Sequence, residues 1–168
     1  MYKLIIVFLL IGSSLTGFIA LSLNSYDIEE VIICSTNNES HFISSKLCSY
    51  YLFNYRGNKN DIYQLSQTSN LNFLVSIQDK KQRKSLFDFF IKNGSDINGI
   101  SHIDGLTPLH SAILINDAEL VKYLLSMHAD PTIIDKNNHL TAIQFLNLLT
   151  SRNPEVDREK IRLLFQYK

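Results

Sequence analysis

The residues of this chain with chemistry to offer are five histidines, two cysteines and one cluster of carboxylates. The histidines are His41, His102, His110, His128 and His139. A zinc centre needs about four ligands at defined spacing, and neither a Cys-x-x-Cys pair nor a Cys/His spacing supplies them, so no metal site is expected. No Gly-x-Ser-x-Gly elbow, phosphate-binding loop, His-Glu-x-x-His or dinucleotide fingerprint occurs. Asp27, Glu29 and Glu30 crowd beside an apolar segment and read as a solvated linker rather than an acid–base pair. The one dense basic run, Lys80-Lys81-Gln82-Arg83-Lys84, reads as the solvated start of a helix, with a phosphate or lipid-headgroup patch as the alternative. The expectation is a non-enzymatic protein with no catalytic residues and no cofactor.

The elements around these residues are clearest in DGLTPLHSAILINDAELVKYLLSMHAD, Asp104 to Asp130. Asp104-Gly105 marks a tight turn, since Gly takes positive φ without a steric penalty. The Thr107 hydroxyl suits a helix N-cap, and Pro108 then sits at the first helical position, where its missing N–H is not needed. Leu109, Ala112 and Ile113 follow at helical spacing. Asn116-Asp117 interrupts, and a second helix is predicted from Ala118 to Ser126 with Leu120, Val121, Leu124 and Leu125 on its buried face.

This helix–turn–helix resembles the ankyrin repeat, whose signature T-P-L-H-x-A recurs with a period of about 33 residues. The match lies in Thr107, Pro108, Leu109, His110 and Ala112, then in LVKYLL and in His128-Ala129-Asp130 where the family prefers Gly-Ala-Asp. A single repeat cannot bury its own apolar face, so neighbours are expected. Shifting by 34 positions toward the N-terminus sets Leu86, Phe89, Phe90 and Ile91 on Leu120, Tyr123, Leu124 and Leu125. Gly94-Ser95-Asp96-Ile97-Asn98 then takes the place of the family's G-A-D-x-N, while the first helix of that repeat, near Asn70 to Gln78, lacks the opening motif. In the other direction Thr141, Ala142 and Ile143 fall on Thr107, Pro108 and Leu109, with Asn138-His139 in place of Asp-Gly and Gln144 in place of His. An insertion around Thr150 to Asp157 leads to a last helix, Arg158 to Tyr167, with the polar outer side that an end cap needs.

The expected fold is therefore all-α: an ankyrin-repeat solenoid of about three helix–turn–helix repeats over residues 70–168. A short helical N-terminal cap is expected over residues 24–69, behind a signal peptide or signal anchor in residues 1–23. The 168 residues and 45% apolar share are enough for a real core. Sixteen basic side chains balance sixteen acidic ones, which argues against nucleic acid as a partner.

Within the cap, Ser25–Ile33 is compatible with helix or strand, and Ser44-Ser45 precedes a helix that Gly57 should stop. The apolar stretch Leu4 to Leu23 leaves two export readings open, beside that of an internal core helix at the N-terminus. Ala20-Leu21-Ser22 is a passable signal-peptidase triplet, yet roughly 20 apolar residues suffice to span a bilayer. Phe18 stands where a lipoprotein needs Cys, so lipid attachment is not expected. Either way the rest of the chain should lie beyond the inner membrane, in the periplasm, free or anchored. In that oxidising setting Cys34 and Cys48 favour a disulfide, with two buried free thiols as the alternative.

The family resemblance implies protein binding through hairpin tips and the exposed face of the first helices. Mapped here, the tips are His102, Ile103, Leu106, Asn137 and His139. The helix positions are Leu114 and Ile115, with Leu148 and Leu149 corresponding in the next repeat. Those apolar positions either form an exposed patch, which usually marks an interface, or lie under the cap or the insertion. His110 is expected to be structural. Small exported bacterial ankyrin proteins are similar in layout, and some neutralise secreted toxins, phospholipases among them. The resemblance thus implies another protein as partner, with a secreted toxin as the specific expectation. The alternative is a membrane-tethered scaffold or envelope-stress factor for which the inner membrane is also a partner.

Overall fold

The computed structural model describes residues 19, 21–36 and 42–166. His41, residues 37–40 and most of the apolar N-terminal stretch lie outside them, so the signal-peptide and anchor readings fall largely there. By internal packing the chain divides into Met1–Asp61 and Ile62–Lys168. Among the described residues every regular element is helical. No helix among them is long and apolar enough to cross a membrane.

In the first unit residues 21–25 are helical, followed by α1 (Ile28–Thr36) and α2 (Ser45–Tyr55). The segment that was ambiguous between helix and strand is helical because its carboxylates cap it. Asp27 Oδ1 accepts the Glu30 N–H at 2.8 Å, and Glu30 Oε2 accepts the Asp27 N–H at 3.2 Å. This reciprocal capping box satisfies two donors that a helix start otherwise leaves unpaired. Asp27 and Glu30 are thus helix-starting groups rather than a linker. Ile28, Val31, Ile32 and Cys34 of α1 are buried, as are Cys48 and Leu52 of α2. The Cys34 and Cys48 sulfurs are bonded, with their Cα atoms 5.7 Å apart. Gly57, at φ 79°, ends the run after α2. Helix α3 (Lys59–Gln67) carries the chain from the first unit into the second.

The second unit is three helix pairs. The first helices are α4 (Asn72–Val75), α6 (Pro108–Leu114) and α8 (Ala142–Arg152). Their partners are α5 (Lys80–Lys92), α7 (Ala118–Ser126) and α9 (Glu159–Leu164). α6 packs between α4 and α8, and α7 packs on both α6 and α9. This is the solenoid expected from the sequence, in which each repeat covers the next one's apolar face. Leu86, Phe87 and Phe90 of α5, Leu109, Ala112 and Ile113 of α6, and Leu120, Val121 and Leu124 of α7 make its buried core.

The weakest match is the first helix of the opening repeat, which shrinks from the expected Asn70–Gln78 to one turn, Asn72–Val75. It has no side-chain N-cap, and Asn70 immediately before it takes φ 54°. That conformation is held in place from outside the helix. Asn70 Oδ1 accepts the Leu71 N–H at 2.8 Å, and Gly99 lies so close that a Cβ there would come within 2.0 Å of Asn70 Nδ2.

Candidate protein-interaction surface

The hairpin tips are shaped by two buried side-chain oxygens at equivalent repeat positions. Ser101 Oγ accepts the N–H groups of Ile103 and Asp104, each at 3.2 Å. Thirty-four residues later, Asp135 accepts those of Asn137 at 3.1 Å, Asn138 at 2.7 Å and Leu140 at 2.9 Å. Burial alone would raise the Asp135 carboxyl, but these donors outweigh it and hold the group below its ordinary value. The two tips are also tied together: the Lys136 N–H donates to Gly105 O at 2.8 Å and Asn137 Nδ2 to Asp104 O at 2.6 Å.

Around that frame His102, Ile103, Asn137 and His139 are exposed, with Ile103 at 73%. Leu106 is not available: it is 5% exposed, because it turns inward just ahead of the α6 cap. On the first helices, Leu114 and Ile115 are exposed at 47% and 51%. Their counterparts differ. Leu148 is half-buried and Leu149 buried, because α8 runs several residues beyond the point at which α6 ends and turns Leu149 into its core side. The expected surface thus narrows to His102, Ile103, Leu114, Ile115, Asn137 and His139.

Among the exposed apolar side chains that escaped the sequence reading, two belong to the tips and first helices of the repeats. Ile134, just before the second tip, is 52% exposed. Ile143 is 36% exposed although Leu109, at the same repeat position, is at 1%. The difference is one of place in the stack: α8 covers α6, whereas Ile143 belongs to the last first-helix described. A groove of about 600 Å³ was also missed, lined among others by Val75, Gln78, Ile115, Ala118 and Lys160. No local pattern announces it, since its walls come from three repeats. Its charges are largely paired internally, Lys80 with Glu119 at 2.8 Å and Arg83 with Asp117.

His110 is entirely inside. Its Nδ1 lies 2.7 Å from Thr107 Oγ1 and its Nε2 3.1 Å from Leu140 O. A carbonyl can only accept, so Nε2 carries the proton and Nδ1 accepts from the threonine hydroxyl. Burial lowers its pKa, which keeps the ring neutral. The imidazole therefore stitches the α6 cap to the next repeat. His128 and His139 serve as backbone pivots at φ 66° and 56°. Among the described residues no group of three or more His, Cys, Asp or Glu side chains is placed to hold a metal ion.

Residues 104–136 match the family model described as Ankyrin repeat. No curated protein matches the chain.

Proposed function

Because this chain carries an ankyrin repeat, a protein-binding module, we propose that it acts beyond the inner membrane as an immunity protein, capping the active face of a secreted antibacterial toxin. The supporting observation is the pairing of a rigid frame with exposed apolar side chains. Ile103 and Ile134 stand on or beside tips fixed by Ser101, Asp135 and the inter-tip bonds, and Leu114 and Ile115 close α6, where the Ile115 N–H donates to Ser111 O at 3.1 Å. Large aliphatic groups held in place lose little entropy on docking, which is how a preorganised surface gains affinity. The bonded Cys34–Cys48 pair favours an oxidising compartment such as the periplasm.

Co-expression with the toxin encoded beside it is the test. The chain should protect the host and form a one-to-one complex, and Ile103→Asp with Ile115→Asp should abolish both while leaving the fold intact. Absence of protection and of any complex with each neighbouring effector would end this reading. Binding to a resident envelope protein without protection would instead favour a membrane-tethered scaffold.

A further inference from the structure

The end of the apolar N-terminal stretch is built into the first unit. Leu23 is 2% exposed and shares a core cluster with Cys34, Ile43 and Cys48, against which Ile19, Tyr26 and Tyr51 pack. The helical turn at residues 21–25 is also held at its carbonyl end. Arg56 Nη1 donates to Tyr26 O at 3.1 Å and to Leu23 O at 3.5 Å. Arg56 is itself fixed by Asp61, at 2.7 Å, and both side chains are buried, 9% and 1% exposed. Asp61 in turn accepts the N–H of Gly57 at 2.7 Å. A cation at the carbonyl end of a helix is favourable, and a buried ion pair is retained only where its remaining hydrogen bonds are met.

These contacts bear on the triplet Ala20-Leu21-Ser22, where a signal peptidase would cut. Cleavage after Ser22 would remove Ile19 from the cluster around the disulfide. It would also make Leu23 the new terminus and place an ammonium on the residue whose side chain joins that cluster. Losing an apolar contact of the cluster and setting a charge beside it are both unfavourable. We propose that the stretch is retained as a membrane anchor, and that the first unit folds directly onto its outer end with the lipid bilayer as its partner. The exposed side chains of α2 have the composition that such a surface takes. Leu47, Tyr50 and Phe53 are exposed there at 38%, 58% and 38%, and Lys46 is the only charged residue of the helix. Tyrosines beside aliphatic side chains with little charge are the composition of a membrane–water interface.

This inference rests on the reading that the first unit lies beyond the membrane, and is independent of which protein the repeats bind. The full chain is expressed in a host with a periplasm; intact mass, thiol alkylation and alkaline carbonate extraction are then measured. Expected are a mass with no loss beyond Met1, blocked thiols and a chain that stays in the membrane pellet. A soluble, oxidised product beginning near Leu23 would overturn the anchor while leaving export standing. A full-length product with two free thiols would overturn both. Ser22→Ala, which improves the cleavage triplet, gives a second reading. An uncut chain, or a cut chain that is degraded, agrees with the packing described. A cut chain that accumulates folded and oxidised refutes it.

Discussion

Arg83 and Asp117 stand 34 positions apart in the sequence and meet side chain to side chain across two neighbouring repeats. Each has a second duty within its own repeat. Arg83 Nη1 also donates to Val75 O at 3.2 Å, and Asp117 Oδ1 accepts the Leu120 N–H at 3.0 Å as the cap of α7. The pair therefore links the loop of one helix pair to the helix start of the next, with little water around it: the side chains are 7% and 14% exposed.

Removing one member should leave the other buried and unpaired. Arg83→Met or Asp117→Ala is expected to cost about 3–5 kcal/mol in urea unfolding. The double variant should cost clearly less than the sum. Simple additivity would show that the two side chains do not depend on one another.

The same carboxylate contributes to acid stability. Burial would raise the Asp117 carboxyl, but the Leu120 N–H and the Arg83 guanidinium outweigh it and hold the group below its ordinary value. A lowered folded-state value stabilises fully above the unfolded value of about 4 and is lost as pH falls below it. Arg83→Met should therefore flatten the acid limb of a melting-temperature profile between about pH 5 and 2. An unchanged slope would remove Asp117 from the acid response.

His110 acts at a higher pH in the same direction. Its folded-state pKa is lowered by burial, so its contribution is complete above the unfolded value of about 6.5 and declines as pH falls from there. Melting temperature should drop between about pH 7 and 5 in the native protein and drop less in His110→Gln. At pH 7.5 the substitution should still cost about 1–3 kcal/mol, because Thr107 and Leu140 lose a buried partner.

Backbone strain gives a further pair of outcomes. His128 and Gly94 occupy the same repeat position, as do His139 and Gly105, and all four have positive φ. Histidine bears a cost there that glycine avoids. His128→Gly and His139→Gly should each raise stability by about 0.5–1 kcal/mol, net of the entropy glycine adds to the unfolded chain. Gly105→Ala should be worse than Gly94→Ala. A Cβ at Gly105 would come within 2.8 Å of Asn137 Oδ1, whereas nothing lies within 4 Å of one at Gly94. Equal losses from the two alanine variants would show that crowding at Gly105 is unimportant.

Breaking the Cys34–Cys48 bond closes the series. Cys34→Ala with Cys48→Ala frees a loop of about 15 residues and should cost on the order of 3 kcal/mol. Amide exchange in α1 and α2 reads that loss directly. Unchanged protection would mean that the buried apolar side chains hold the two helices without the covalent link.

Much of the fold could be read along the chain because its signals are local. Thr107 caps α6 and Asp117 caps α7 through donors three residues ahead, and Leu120, Val121, Leu124 and Leu125 line one side of a single helix. A helix start, a helix face and a positive-φ turn are decided within about four residues, so residue order alone determined α6, α7 and the resemblance they carry. Which side chains face water was decided only in three dimensions. Leu106 and Leu149 turned inward while Ile134 stayed out, and Arg83, within a basic run, proved to be a buried clamp. Those outcomes depend on what the neighbouring repeat covers, and that neighbour lies some 34 residues away. Stacking brings it into contact, and no short stretch of sequence records how closely.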